Sequence, residues 1–380
     1  MTVVHTSPTV LISPAASKCN ELRLMSTAAD PTYWWRTSGQ DLQNMMKEAD
    51  YPEEIQHQFL QYYREAMCTQ LGAKPEANSI KAVTGWDGNP FEYSFELKGT
   101  TKNPGVRFVV DFSPLRPAKN GTMFDDTWHQ SLAQWFVYSH LPPSQQHAMI
   151  AEQKHQTSLI VGFDVARRVL IPGKLPVMAK SYFHPGFAAA DRCISHWDAL
   201  ASGIRQLPNF ASYPNIEKAL AMMEEYLLEH PEHASGTRGV SVDCVPQGKA
   251  RLKIYMRYHG DSFEEIWDYY TLGGRIPDLE EDKAKFSDLM ELTNGAGYEA
   301  GIGEHIQQDQ EKPTMLRHKP LAIYFSLSPE KPYPIPKVYF TPARKAPNDK
   351  AIALGLDKWL DKYGWYDGGK TIEERVSNTL

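Results

Sequence analysis

A lysine followed two residues later by a tyrosine occurs in three stretches rich in β-branched and aromatic residues. They are MAKSYFHP (178–185), RLKIYMRY (251–258) and IPKVYFTP (335–342), and a fourth stretch, VRFVVDFSP (106–114), has Arg107 where the others have lysine. Residues two apart in a β-strand point to the same face. Lysine and arginine bind phosphate oxygens, and the face of a tyrosine ring attracts a positive charge. The pattern therefore predicts a binding site for an anionic group beside a place where positive charge develops.

The candidate residues of this site fall into two sets. An exposed strand face would explain a single Lys-x-Tyr, but three copies at similar intervals, with Arg107 in addition, make that explanation weaker. The candidate cations are Arg107, Lys180, Arg251, Lys253 and Lys337. The candidate aromatic residues are Tyr182, Tyr255 and Tyr339.

Each of these stretches follows a second strand-like run, and turn residues separate the two. The upstream runs are FEYSFELK (91–98), SLIVGFDV (158–165), TRGVSVDCV (237–245) and LAIYFSLS (321–328). The chain therefore predicts four antiparallel hairpins. The segments between and around the hairpins have helical spacing of apolar residues. These segments include 41–72, 125–141, 214–230, 262–274 and 350–380.

Alternation within the strands indicates how hairpins and helices pack. One face of RLKIYMRY carries its cations and Tyr255, and the other carries Leu252, Ile254 and Met256. The apolar face must be covered, and the amphipathic helices can cover it. The charged face then points inward. We expect an α+β fold in which antiparallel strands form a barrel with a solvated interior, called the lumen below, and α-helices form an outer ring.

Composition excludes several other classes of protein. The net charge is −6 and the pI is about 6.1, which gives no basic excess for nucleic acid. No run approaches 18 apolar residues, and the N-terminus lacks the pattern of a signal peptide. The four cysteines form no CxxC pair. We expect a cytoplasmic protein without membrane association, with a loosely ordered N-terminal arm (1–30) and a single domain (31–380).

The strand motifs together resemble those of a known family. They are similar to motifs of the fungal aromatic prenyltransferases of the dimethylallyltryptophan synthase type, which have the ABBA barrel (PT barrel) fold. The resemblance runs from about residue 35 to the end of the sequence. That family has five hairpins, whereas only the helices of a fifth unit follow the four found here, so we expect the last hairpin to be missing. The motifs that carry the resemblance are DGNPFEYSFE (87–96), Arg107, AKSYFHP, RLKIYMRY with YTLGGR (270–275), and PKVYFTP with ND (348–349).

The resemblance implies a reaction. Members of the family transfer a dimethylallyl group from dimethylallyl diphosphate to an aromatic, often indole-containing, acceptor in alkaloid and other secondary metabolism, by a Friedel-Crafts-like mechanism. The cations of the strands would neutralise the diphosphate in place of a metal, and the tyrosines would shield the allylic cation. The expected partners are the donor and the aromatic acceptor. No cofactor, metal or nucleic acid is expected, and a homodimer is left open.

Further site residues follow from the same resemblance. Glu92 matches the general base that removes a proton from the acceptor, although Glu96 lies on the same strand face and is a rival. Arg238 matches an arginine that binds the carboxylate of the acceptor. Val83 and Thr84 are weaker candidates that would offer backbone groups to the acceptor.

Other functions stay open on the sequence alone. The acceptor would be a phenolic polyketide rather than an indole, or the barrel would bind an anionic small molecule without catalysis. A carboxylate at Glu92 argues against a simple anion-binding protein, because it would repel the ligand. A magnesium-dependent terpene enzyme is disfavoured because no acidic metal-binding motif is found.

Overall fold

A computed structural model describes most of the chain from residue 30 onward. Val83, Thr84 and residues 1–29 of the predicted N-terminal arm lie outside the described residues. The described residues are 30–71, 74, 90–97, 102–111, 127–136, 159–169, 175–258, 260, 262–308, 310–311 and 321–379.

Eight strands within these residues form one antiparallel sheet. Every strand pairs with its neighbours in chain order, which confirms the four predicted hairpins. The last hairpin is the tightest, since Ser328 pairs with Lys331 across a two-residue turn. The two edge strands do not pair with each other among the described residues. The strands are β1 (Phe91–Glu96), β2 (Gly105–Val110), β3 (Leu159–Val165), β4 (Val177–Phe183), β5 (Thr237–Asp243), β6 (Leu252–Tyr258), β7 (Leu321–Ser328) and β8 (Lys331–Tyr339).

The predicted helical segments contain helices with ordinary end signals. Ser195, Ser262 and Asn348 each accept a hydrogen bond from the backbone three residues on, which caps the helix that follows. Leu272 and Gly273 have positive φ and end the helix before them. The helices are α1 (Pro31–Trp34), α2 (Gln40–Glu48), α3 (Glu53–Tyr62), α4 (Thr127–Phe136), α5 (Gly186–Arg192), α6 (His196–Arg205), α7 (Pro214–Glu229), α8 (Pro231–Ala234), α9 (Phe263–Thr271), α10 (Glu280–Thr293), α11 (Asp349–Lys362) and α12 (Ile372–Thr379).

The outer face of the sheet packs against the helices. Leu252, Ile254 and Met256 of β6 are buried in a core that also contains residues of α4, α6, α7 and α9. A second core joins β1–β4 to α1–α3, where Phe59 lies edge-on to Phe108 at a centroid distance of 5.9 Å. The alternation in RLKIYMRY is thereby confirmed, with its apolar side chains on the covered face.

The sheet curls so that its two ends approach each other. Lys337 of β8 is exposed at its surface but partly desolvated by its neighbours, which lowers its pKa. The positive charge of Arg107 on β2 lowers the pKa further, while Glu96 of β1 opposes the change. Side chains seven strands apart therefore lie within electrostatic reach across the lumen. The curled sheet with helices outside confirms the predicted architecture. No helix among the described residues has the length and apolar character needed to cross a membrane.

Candidate active site

All five predicted cations lie on the inner face of the sheet, but acidic side chains accompany them. Asp164 of β3 lies opposite Arg107 in the strand pairing. Its carboxylate accepts a hydrogen bond from Lys180 Nζ at 2.5 Å and lies 3.2 Å from Arg107 Nε. Arg107 also forms an ion pair with Glu96. Two of the cations are thus held in place by carboxylates from the preceding strands.

A second carboxylate organises Lys253 of β6 and Arg251, the residue just before that strand. Asp243 accepts hydrogen bonds from Lys253 Nζ at 2.5 Å and from Arg251 Nε at 2.8 Å. Burial would raise the pKa of Asp243, but the charges and hydrogen bonds of Lys253 and Arg251 outweigh it and the pKa is lowered. Asp243 is therefore ionised and bridges two of the predicted phosphate ligands.

The cations differ in their access to solvent. Lys180 and Lys253 are buried, whereas Lys337 and the side chain of Arg251 are exposed. The lumen is thus more closed to solvent around the two buried lysines than the sequence indicated. Burial lowers the pKa of Lys253 to about 8, with Asp243 opposing the shift and Lys180 adding to it. Lys337 makes no ion pair with any residue that the structure describes.

The net charge of this cluster is positive. The five cations Arg107, Lys180, Arg251, Lys253 and Lys337 face the three carboxylates of Glu96, Asp164 and Asp243. The carboxylates reduce repulsion among the cations without cancelling their charge. A cluster of this kind suits a multiply charged anion such as a diphosphate.

The three predicted tyrosines lie together, with a fourth that the sequence analysis missed. Tyr255 has its ring centroid 5.7 Å from Tyr182, 6.3 Å from Tyr339 and 5.4 Å from Tyr324. Tyr324 is directly opposite Tyr255 in the pairing of β6 and β7. Burial raises the pKa of Tyr182 and Tyr255. Partial desolvation also raises the pKa of Tyr339, which is 43% exposed. These phenols are therefore neutral and present their ring faces and hydroxyl dipoles.

Gly162 explains where the ring of Tyr182 can lie. It is on the inner face of β3, and a Cβ atom at this position would come 2.9 Å from Cε2 of Tyr182 and 3.1 Å from its hydroxyl oxygen. Real Cβ atoms do not approach that closely, so the absent side chain makes room for the ring. Glycine inside a strand lowers stability, and the packing of the Tyr182 ring against Gly162 offsets this loss.

Glu92 and Glu96, the two candidates for the general base, have different neighbours. Glu96 forms an ion pair with Arg107, whereas the charge of Glu92 acts on Tyr182 and Tyr339 and raises the pKa of both. Glu92 is exposed and lies on β1 opposite Val109. Of the two glutamates of β1, Glu92 is thus the one whose charge acts on Tyr182 and Tyr339, and Glu96 belongs to the cation cluster. Asp164 also acts on Tyr182, and more strongly than Glu92 does.

Arg238 lies in a β-bulge at the start of β5, where the pairing with β6 shifts register. The pairing of β5 with β6 skips this residue, and its Nη1 donates to the backbone oxygens of Ser235 and Thr237 at 3.2 and 3.1 Å. Burial, and then the charge of Arg257, lowers the pKa of Arg238 to about 10. Two guanidinium groups therefore lie near each other at this end, with part of Arg238 already bound to its own backbone.

Comparison with known proteins agrees with this geometry. The family model for tryptophan dimethylallyltransferase matches residues 30–123 and 113–375. The chain is 52% identical to the DMATS-type prenyltransferase mfmD of Annulohypoxylon moriforme, over 100% of this chain and 90% of mfmD. It is 47% identical to the prenyltransferase phnF of Penicillium herquei, over 92% and 83% of the two chains.

More distant similarities extend the comparison. Xanthone prenyltransferase B of Emericella nidulans is 28% identical, over 93% of this chain and 81% of the relative. The crystal structure of NotF in complex with brevianamide F and DMSPP superposes with a TM-score of 0.72 at 18% identity, covering 97% of this chain and 90% of NotF. That structure shows the shared fold. Together with the family model and the close relatives, these matches show that the chain belongs to the tryptophan dimethylallyltransferase family of DMATS-type aromatic prenyltransferases.

Proposed function

We propose that the chain transfers a dimethylallyl group from dimethylallyl diphosphate to an aromatic acceptor without a metal ion. The observation that carries this proposal is the placement of cations and tyrosines on one face, since Lys253 and Tyr255 are adjacent on the inner side of β6. A diphosphate held by the cations would place its allylic carbon under the tyrosine rings.

The same groups supply the chemistry of each step. The C–O bond of the donor breaks, its electron pair leaves with the diphosphate, and the cations neutralise that charge. The tyrosine rings stabilise the allylic cation and exclude water, which would otherwise trap it. An aromatic carbon of the acceptor then forms the new bond, and Glu92 takes the proton released when the ring regains aromaticity.

The acceptor has two candidate classes. An indole is favoured by Glu92, whose position near Tyr182 and Tyr339 suits removal of an N–H or ring proton. A phenolic acceptor is favoured by the similarity to the relative that is named a xanthone prenyltransferase. The hydrogen bonds from Arg238 to its own backbone leave less of this residue for the carboxylate of free tryptophan.

A donor assay tests the proposal. Labelled dimethylallyl diphosphate should be transferred to at least one member of a panel of indoles, cyclic dipeptides, xanthones and other phenols, at equal rates with and without EDTA. Loss of transfer in EDTA that magnesium alone restores would overturn the metal-free mechanism. Failure with every acceptor, while the donor binds, would overturn the proposed transfer.

Substitutions of Glu92 and Glu96 should have different effects on the kinetics. We expect Glu92→Gln to lower kcat by on the order of 10²–10⁴-fold, with little change in KM for the donor, because only proton transfer is lost. The matched variant Glu96→Gln should mainly change KM for the donor, since it releases Arg107. Steady-state kinetics with both variants measure this, and equal effects of the two would contradict the assignment of Glu92 as the base.

Donor binding should depend on the proton of Lys253. Because the pKa of Lys253 is lowered to about 8, this lysine is charged below pH 8 and loses its charge as the pH rises above it. We expect kcat/KM for the donor to be level below pH 8 and to fall above it. Arginine stays charged throughout this range, so Lys253→Arg should remove the decline. If kcat/KM of Lys253→Arg declines above pH 8 as it does in the wild type, the proton of Lys253 is not the cause of the decline.

Gly162 should determine whether the ring of Tyr182 can take its place among the tyrosines that cover the allylic cation. In Gly162→Ala the new Cβ atom would displace the ring of Tyr182, so we expect kcat to fall by on the order of 10–100-fold and more donor to be hydrolysed per transfer. Gly248→Ala is the control, because nothing lies within 4 Å of a Cβ atom there. Product analysis by chromatography would measure both quantities, and an unchanged ratio of alcohol to product in Gly162→Ala would count against this role.

A further inference from the structure

Three metal-ligating side chains meet at the short helix α8 and the residue before it, between α7 and β5 and outside the lumen. One ligand atom from each of His230, Glu232 and His233 lies within 4.8 Å of the other two. His230 Nδ1 is 3.5 Å and His233 Nε2 is 3.8 Å from the same carboxylate oxygen, Oε1 of Glu232. No other group of three such side chains was found in the part of the chain that the structure describes.

The two imidazole rings are held in place by stacking. His230 packs on Tyr226 at a centroid distance of 4.5 Å, and His233 packs on Tyr269 at 4.7 Å. The two histidine rings are 25° from parallel, with centroids 5.6 Å apart. The hydroxyl of Tyr226 donates to Asp268 at 3.0 Å, which fixes the ring beneath them. The two imidazole ligands are therefore held by packing before any ion binds.

The spacing of the ligand atoms is close to that of a metal site. Ligands at 2.0–2.2 Å from a tetrahedral zinc ion lie roughly 3.4 Å from each other. The separations from the Glu232 oxygen are 3.5 and 3.8 Å, at most a few tenths of an ångström longer. The two imidazole nitrogens lie within 4.8 Å of each other, so side-chain rotation would have to bring them closer to complete the site. The side chain of Glu232 is 63% exposed, which leaves the remaining coordination positions open to water.

The surrounding charges also favour a cation. The negative charge of Asp268 acts on His233. The guanidinium groups described near this segment already have partners: that of Arg275 forms an ion pair with Glu229 at 2.5 Å, and that of Arg238 donates to the backbone oxygen of Ser235 at 3.2 Å. All three ligands come from four consecutive residues, so little chain entropy is lost when an ion brings them together.

We propose that His230, Glu232 and His233 bind one divalent transition-metal ion of the zinc, nickel or copper class, to which imidazole and carboxylate ligands are suited. The ion would clamp the segment that leads through α8 from α7 into β5. The backbone oxygen of Gly236, three residues beyond His233, accepts a hydrogen bond from the backbone of Arg257 at 2.8 Å, so the clamp also steadies the end of β6. This site is independent of the prenyl transfer proposed above.

Titration of the metal-free full chain tests the site. Zinc chloride added to EDTA-treated and dialysed protein should bind with one equivalent in isothermal titration calorimetry. It should also raise the melting temperature by about 2–5 °C at concentrations 100-fold above Kd. Glu232→Gln and His230→Gln should each weaken binding by at least about 10-fold, the loss found even for residues that only orient a ligand.

The control is a histidine elsewhere on the surface. His305 is exposed and lies 3.9 Å from Glu311, so His305→Ala tests whether any exposed histidine near a carboxylate accounts for binding, and it should leave the zinc affinity unchanged. Glu232 is largely exposed, so its substitution should not prevent folding. Equal zinc affinity in wild type, Glu232→Gln and His230→Gln would place the ion elsewhere and overturn the proposal.

Discussion

The ion pairs of Asp164 and Asp243 are the interactions on which the inner face of the sheet depends. Five like charges on every second strand of one curled sheet would repel one another, and Lys180 and Lys253 are buried, where an unpaired ammonium group would be strongly destabilising. Each aspartate contacts two of the cations. The charged face can therefore exist in a folded protein that holds no anion.

The outer face and the inner face of the sheet were predictable from the sequence because they follow from alternation. Apolar residues such as Ile254 and Phe325 occupy every second position, and the turns fix which strands pair. The repeat of Lys-x-Tyr then identified the residues that converge in the lumen. These features are local in the sequence, and the structure changed their boundaries by only a few residues.

The partners of those residues were harder to predict, because they come from other strands. Asp164 and Asp243 lie near the ends of the upstream strands of two successive hairpins, a repeated signal that the motif search did not use. Tyr324 joins the other tyrosines through cross-strand pairing, and Gly162 is defined only by the ring that lies over it. Glu96 differs from Glu92 only in which side chain it meets across the sheet, and the sequence of a single strand does not contain that information. The bulge at Arg238 likewise interrupts a regular pattern that alternation assumes.

The paired cations also have a consequence for turnover. An anion that entered the lumen under the proposed function would find four of the five cations already bound by carboxylates, and would have to displace these from the ammonium and guanidinium groups. Of the five, Lys337 alone has no ion pair among the residues that the structure describes. The carboxylates would return to those groups when the anion left, so less energy would be lost on its departure than if all five cations were unpaired. A site built in this way sacrifices some affinity for its anionic ligand and gains faster release of it, which favours a catalyst over a storage protein.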